Sequence, residues 1–386
     1  MLVLEFLILS YFIYVVGYTT VFSTGGLFYK IPQLSRSIKK NRIAVFIPAY
    51  KEDAVIVPVA KQARYQAYPK EYYDVIVLAD SLMKSTLTEL SLLDIKLHVV
   101  QFEKSTKVKS LLSGLNSVDQ YDIAVILDAD NVMDINFLSK INAAFNYGWE
   151  AIQGQRTAKN KNTPLAILDG ISEGIANHIN RQGAIALGLS SPIIGSGMAF
   201  GFSMLKNVMT TMDSVGGFDK ELQMRILENG TKIHYLKDAI VEDEKVDTKE
   251  VFQNQRKRWI SSHYIYFKKF FVRGVLSLFK GNFSVFNIAI LYNIQLPRLM
   301  NLGILSALAF LSIILQNHLA LPFYYWPLLL VIFVASLLIA IPKTYYNKSL
   351  LTAILTVPST FVSMFLIHFK LKGANKKFIH TPHKQH

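Results

Sequence analysis

The sequence predicts an α/β domain built on a mainly parallel sheet, joined to transmembrane and interfacial helices. Short apolar, β-rich runs alternate with helix-length segments between residues 43 and 127, and long apolar stretches stand at both ends of the chain. The composition is 51% hydrophobic with a mean hydropathy of +0.29, high for a water-soluble enzyme and low for a pure membrane bundle. A chain of 386 residues has room for one good-sized domain plus membrane helices.

Leu2 to Phe22 is about the ~20 apolar residues that cross a bilayer. It has no basic start and no small-residue cleavage site, so 1–24 reads as a retained transmembrane anchor. Lys30, Arg36, Lys39, Lys40 and Arg42 follow it, and the positive-inside rule puts them in the cytoplasm. Within 40–260, the runs Ile43–Ile47, Val75–Leu78, Leu97–Val100 and Ile123–Leu127 read as strands, and Ala54–Gln66 and Thr106–Asn116 as helices between them. Continuous apolar strands of this kind imply a sheet covered on both faces. Ligands of such sheets gather at the carboxyl ends of the strands. Pro48-Ala49-Tyr50-Lys51-Glu52, Asp80 and Asp128/Asp130 all fall at such ends.

Residues 261–298 read as interfacial helices, because Phe267–Phe279 mixes aromatics with Lys and Arg. Leu299–Leu315 and Phe323–Ile341 read as two membrane spans filling 299–341. Pro358 interrupts the apolar stretch Leu350–Phe369, and a crossing there would carry the basic tail Lys370–Lys384 outside. The segment 342–386 is therefore expected to be interfacial or re-entrant with a cytoplasmic tail, leaving three crossings; four is the alternative.

There are no cysteines, which excludes disulfides and thiolate metal sites. The formal charge of +14 is concentrated beside apolar stretches, in Lys30–Arg42, Lys268–Lys280 and Lys370–Lys384. That placement points to anionic membrane lipids, at about 1 kcal/mol per basic residue, and away from nucleic acid.

Asp128-Ala129-Asp130 closes an apolar strand, and Gln255-Arg256-Lys257-Arg258-Trp259 lies far downstream. An Asp-x-Asp pair suits a hard divalent cation that also binds phosphate oxygens. Arg258 offers a planar fork for phosphate, and Trp259 a flat wall for a sugar ring. Alone, Asp-x-Asp is as readily a solvated turn, and Arg258-Trp259 a membrane-interface anchor.

With these motifs in this order, the chain resembles the membrane-bound glycosyltransferases of family 2, which have the GT-A fold and include cellulose-synthase-like, hyaluronan-synthase-like and ceramide-glucosyltransferase-like enzymes. The resemblance covers roughly Ile43 to Trp259. It implies a nucleotide-sugar site made by Pro48, Ala49, Tyr50, Glu52, Asp80 (reading uracil), Lys107, Asp128, Gln255, Arg258 and Trp259. It also implies Mg²⁺ or Mn²⁺ held by Asp130 with Asp128, and an inverting transfer from a UDP-sugar. The family's catalytic base is the Asp of a Glu-Asp pair. Here Asp219 occupies that position after Phe218, and Glu221 is the second candidate. The acceptor implied is a membrane lipid or lipid-linked glycan. Three spans are few for a polymer-conducting pore, so a processive polysaccharide synthase stands second and a non-catalytic scaffold third. Gly195-Ser196-Gly197-Met198 resembles the acceptor-side strand, and Phe378-Ile379-His380-Thr381 a gating segment. Glu242-Asp243-Glu244 reads as a solvated charge run, and His98, His178 and His234 as structural histidines.

Overall fold

The computed structural model describes residues 2–34, 38–118, 121–214 and 216–370. Eight strands form one sheet: β1 (Ile43–Tyr50), β2 (Tyr73–Asp80), β3 (Lys96–Val100), β4 (Ile123–Ile126), β5 (Val132–Met133), β6 (Ala151–Ala158), β7 (Met198–Gly201) and β8 (His234–Asp243). Their order is β3-β2-β1-β4-β7-β6-β8-β5. β3, β2, β1 and β4 are parallel neighbours, as are β6 and β8, while β7 and β5 run against their partners. The parallel half coincides with the four apolar runs of the sequence. Of the other strands, β5 and β7 are short, and polar residues obscure β6 and β8: β6 is Ala-Ile-Gln-Gly-Gln-Arg-Thr-Ala.

Helix α1 (Leu2–Leu27) precedes the sheet. α2 (Ile56–Ala63), α3 (Lys84–Ser91), α4 (Lys107–Asn116) and α5 (Phe137–Asn146) lie between strands. α6 (Pro164–Ala176) starts at a Thr163 cap whose hydroxyl accepts from Ala166 N at 3.1 Å. It continues through a π-helical stretch, Asn177–Gly183, into α7 (Ala184–Ala186). α8 (Phe202–Met209) and α9 (Phe218–Glu228) follow. Then come α10 (Lys249–Phe279), α11 (Phe283–Phe286), α12 (Arg298–Ile314), α13 (Tyr325–Ala340) and α14 (Lys348–His368).

Apolar layers cover both faces of the sheet. One contains Phe46, Leu78, Leu111 and Phe200, the other Ile47, Val77, Phe137 and Ile152. Each fully buried side chain of this kind contributes about 1.5–3 kcal/mol. The first layer also takes in Tyr266, Phe270, Ile288 and Ala289. The amphipathic stretch Phe267–Phe279 is not a separate helix. It is the second half of the 31-residue α10, which runs unbroken across the boundary expected at 260.

A helical layer packs against this domain. Phe12 and Val16 of α1 meet Leu305 of α12 and Trp326 and Phe333 of α13. Polar contacts fix the register: Tyr11 donates to Asn301 at 2.9 Å, and Glu5 accepts from the backbone N–H of Ala320 and Leu321. Among the described residues, α1 and α14 are long and apolar enough to cross a membrane; α12 and α13 are apolar but have 17 and 16 residues. The interruption expected at Pro358 is not seen. α14 is one continuous 21-residue helix through Pro358, a length of about 31 Å at 1.5 Å per residue. Packing against α6 and a hydrogen bond from Gln253 to Ser363 at 2.8 Å hold it in place.

Candidate active site

The carboxyl ends of the strands open into a cavity of about 1060 Å³. β1 supplies Pro48, Ala49 and Tyr50, followed by Glu52, and β2 supplies Asp80 beside Tyr50 in register. The turn after each of these strands is strained. Lys51 and Ser81 have φ of 57° and 58°, unusual for residues with side chains. Lys51 N donates to Asp80 O at 3.1 Å, and Ser81 Oγ to the Asp80 carboxylate at 2.9 Å. Paired in this way, the two turns present Tyr50 and Asp80 side by side.

Asp128 and Asp130 follow β4 and both line the cavity. Lys107, the first residue of α4, forms an ion pair with Asp128 and donates to Gly195 O at 2.8 Å. Gly195 and Gly197 have φ of 87° and 61°, which glycine adopts without the cost other residues incur. Their bend places the Ser196 hydroxyl to accept from Asp128 N at 2.9 Å and donate to Asn131 at 2.5 Å. Asn131 in turn donates to Asp130 Oδ1 at 3.1 Å and to Asp243 Oδ1 at 2.9 Å.

From α10 come Gln255, Arg256, Arg258 and Trp259. Burial holds the Arg258 guanidinium below its usual pKa. Gln255 Oε1 is buried with no hydrogen-bond partner among the described residues. Arg256 pairs with Asp169 and stacks on the Trp259 ring at 4.4 Å. From α9, Asp219 borders the same cavity. Thus Pro48, Ala49, Tyr50, Glu52, Asp80, Lys107, Asp128, Asp130, Asp219, Gln255, Arg258 and Trp259 all share one space.

Glu221 does not. It is 1% exposed and lies on the other side of α9, where Ser214 donates to it at 2.6 Å, Arg225 at 2.6 Å and Lys269 pairs at 2.9 Å. Burial alone would raise its pKa, but these three donors hold it below the usual carboxylate value. Its place among the candidate site residues is therefore corrected: its donors belong to the packing of α9 on α10.

Asp243 is a second correction. The supposed solvated run contains a buried carboxylate bonded to Lys245 at 2.6 Å and 3.8 Å from Arg156. Arg156 also binds Glu173 at 2.8 Å, and Arg181 reaches Glu173 at 3.4 Å. Despite desolvation, the surrounding cations hold the Glu173 and Asp243 carboxyls well below their ordinary values. Arg156, Asp169, Glu173, Arg181 and Asp243 all line the cavity. The histidines conform to structural roles. His98 bonds Ser113 at 2.9 Å, His178 bonds Ser23 O at 2.8 Å, and His234 stacks on Trp149 at 4.1 Å. Phe378–Thr381 lies outside the described residues.

Asp128 and Asp130 fit a hard cation. They offer carboxylate oxygens to one cavity two residues apart, and Lys107 presents a positive charge to Asp128. Among the described residues, no three carboxylate or imidazole groups converge to hold a metal alone. A cation completed by substrate phosphates requires only one or two carboxylates.

The family described as "Glycosyltransferase like family 2" matches residues 41–262, more than half of the chain, and the chain belongs to that family. A mannosyltransferase from Pyrobaculum calidifontis, solved with GDP-Man and Mn²⁺, is similar over 96% of this chain and 99% of its own, with 16% identity and a TM-score of 0.57. That likeness, at this identity, is one of fold: mixed α/β, mostly parallel, GT-A. S. aureus TarS residues 1–349, solved with UDP-GlcNAc, is similar over 54% of this chain and 60% of its own, with 16% identity and a TM-score of 0.41. Glucosyl-3-phosphoglycerate synthase from Mycobacterium tuberculosis, solved with Mn²⁺, UDP and phosphoglyceric acid, gives 57% and 76% coverage, 14% identity and a TM-score of 0.40. No curated protein is matched by the sequence.

Proposed function

We propose that the chain transfers a sugar, with inversion, from a UDP-sugar to a lipid or lipid-linked glycan at the cytoplasmic face of a membrane. The observation that carries this reading is the two-ended cavity. Its polar end holds Asp80, Asp128, Asp130, Asp219 and Arg258, and its apolar end is walled by Leu302 of α12, Leu337 of α13 and Val357 of α14. A soluble charged donor suits the first end and a lipid chain the second. Outward-facing Val3, Phe310, Val331 and Leu355 give these helices an apolar exterior suited to lipid.

In this reading Tyr50 and Asp80 grip the nucleoside, and Arg258 clamps the diphosphate with its planar fork. Trp259 supports the sugar. When bound by Asp130 and Asp128, Mg²⁺ or Mn²⁺ neutralises the charge that develops on the leaving diphosphate. Asp219 takes the proton from the acceptor hydroxyl. The new bond to the anomeric carbon forms on one face while the bond to the diphosphate oxygen breaks on the other, and UDP leaves with the electron pair. The network of Arg156, Glu173, Asp243 and Lys245 holds Asn131, and through it Asp130, in position.

The test is nucleoside diphosphate release from radiolabelled UDP- and GDP-sugars, with Mn²⁺ or Mg²⁺ and with membrane lipids present or absent. Lipid-dependent release with label in the organic phase is expected. Label in a high-mass polymer would favour a processive synthase, and no release with any donor would sink the enzymatic reading.

A further inference from the structure

One hydroxyl joins both aspartates of the Asp-x-Asp pair. Ser196 Oγ accepts from the backbone N–H of Asp128 at 2.9 Å, so its own proton goes to Asn131 Oδ1 at 2.5 Å. That fixes the Asn131 amide. Its oxygen faces Ser196, and its nitrogen donates to Asp130 Oδ1 at 3.1 Å and to Asp243 Oδ1 at 2.9 Å. The donors therefore run one way, from the Asp128 backbone through Ser196 and Asn131 to the Asp130 carboxylate. Ser196 and Asn131 are both 0% exposed, so water cannot replace a lost partner. The bend that carries Ser196 has its own supports. Gln153 donates to Ser196 O at 3.0 Å and accepts from Ile194 N at 3.0 Å, and Lys107 donates to Gly195 O at 2.8 Å. Its other side faces the start of α9: a Cβ at Gly195 would come within 3.5 Å of the Phe218 ring and 4.0 Å of Asp219 Cβ.

We infer that Ser196 is a positioning residue for the metal site: it orients Asp128 through its backbone and Asp130 through Asn131. The position needs a side chain that accepts and donates at once inside an enclosed volume, and a hydroxyl does both. Alanine there leaves the Asp128 N–H without its acceptor and frees the Asn131 amide to turn its oxygen toward the carboxylates. With Oδ1 held by Asn131, the Asp130 carboxylate has less rotational freedom to lose when it binds a cation, and support of this kind strengthens metal binding. Because the same bend abuts Asp219, one three-residue turn, Gly195-Ser196-Gly197, sets the Asp-x-Asp pair and the base in a single register. This inference rests on the functional reading above and adds to it a residue that touches neither the donor nor the cation.

The experiment uses the full chain in detergent and titrates Mn²⁺ at saturating UDP, reading free Mn²⁺ by its EPR signal, with UDP binding in EDTA as the control. Ser196→Ala is expected to weaken Mn²⁺ binding about tenfold or more, as loss of a group that holds a metal ligand does, while metal-free UDP affinity changes less than about twofold. Ser196→Thr, which keeps the hydroxyl, should recover part of the loss. A smaller loss of Mn²⁺ affinity in Ser196→Ala overturns the inference. So does an equal loss of metal-free UDP binding, which marks general damage to the cavity, and so does Ser196→Thr binding Mn²⁺ no better than Ser196→Ala. If Ser196→Ala does not accumulate folded, Ser196→Cys, a weak donor and acceptor of similar size, is held to the same threshold. A wild-type chain that binds Mn²⁺ with UDP yet transfers no sugar would sink the functional reading and leave the role of Ser196 standing. Normal transfer by the wild type with unchanged Mn²⁺ binding in Ser196→Ala would do the reverse, and a wild type that binds no Mn²⁺ even with UDP overturns both.

Discussion

Asp219 and Glu221 lie two residues apart on α9, and the structure predicts opposite consequences for neutralising them. Asp219 borders the cavity. Under the proposed function Asp219→Asn removes the general base, and a loss of about 10²–10⁴-fold in turnover is expected. Its effect on stability is confined to the first turn of the helix, below about 1 kcal/mol. Glu221 is 1% exposed and accepts from Ser214 and Arg225 while pairing with Lys269. Breaking a buried ion pair costs about 3–5 kcal/mol. The Arg225 and Lys269 side chains are 29% and 40% exposed, so water offsets part of the loss and the lower end, about 3 kcal/mol, applies. For a domain of this size that corresponds to roughly 6–12 °C in Tm. The assay pairs initial rates of nucleotide release with thermal unfolding of the purified chain, and UDP affinity as a control. Asp219→Asn should lose transfer at nearly unchanged Tm and UDP affinity; Glu221→Gln should lose Tm and keep most of its turnover per folded molecule. The reverse pattern would refute the reasoning.

Asp243→Asn leaves Lys245 and Arg156 short of a buried counter-charge and should cost about 3–5 kcal/mol, read by thermal or chemical unfolding. Asn131→Ala removes the donor to Asp130 and should weaken the Mn²⁺ dependence of activity by about 10–100-fold, read by metal titration. EDTA should abolish transfer and excess Mn²⁺ should restore it; full activity after exhaustive chelation would contradict the role given to Asp130. Burial lowers the His263 pKa to about 4, and the neutral ring donates to Asn293 O at 2.7 Å. Because the unfolded chain binds this proton from about pH 6.5, stability is full above that pH. It should fall by roughly 3 kcal/mol as pH drops from 6.5 to 4, then level off. His263→Gln should flatten that part of the stability profile, and an unchanged profile would argue against a buried neutral ring.

Local pattern carried the parallel half of the sheet. β1, β2, β3 and β4 are runs of apolar residues closed by polar ones, and a strand buried on both faces has to read that way. The acidic residues at their ends were legible for the same reason. β6 and β8 were not, because polar residues that face the cavity and the network interrupt their pattern, and β7 is a run of only four residues. α14 was misread at Pro358, where loss of one backbone donor is tolerated when packing on α6 and α10 holds the helix on either side.

Residue identity and order alone determined that acids, an amide, arginines and an indole accompany apolar helices in one chain. Tertiary structure decided which of them meet. The helical period turns Asp219 into the cavity and Glu221 away from it, and side-chain direction cannot be read from two letters in a row. It also decided that Arg156, Glu173, Arg181, Asp243 and Lys245, spread over ninety residues of sequence, form one buried network. Charges become partners only where the chain, in burying its apolar surface, brings them out of water together.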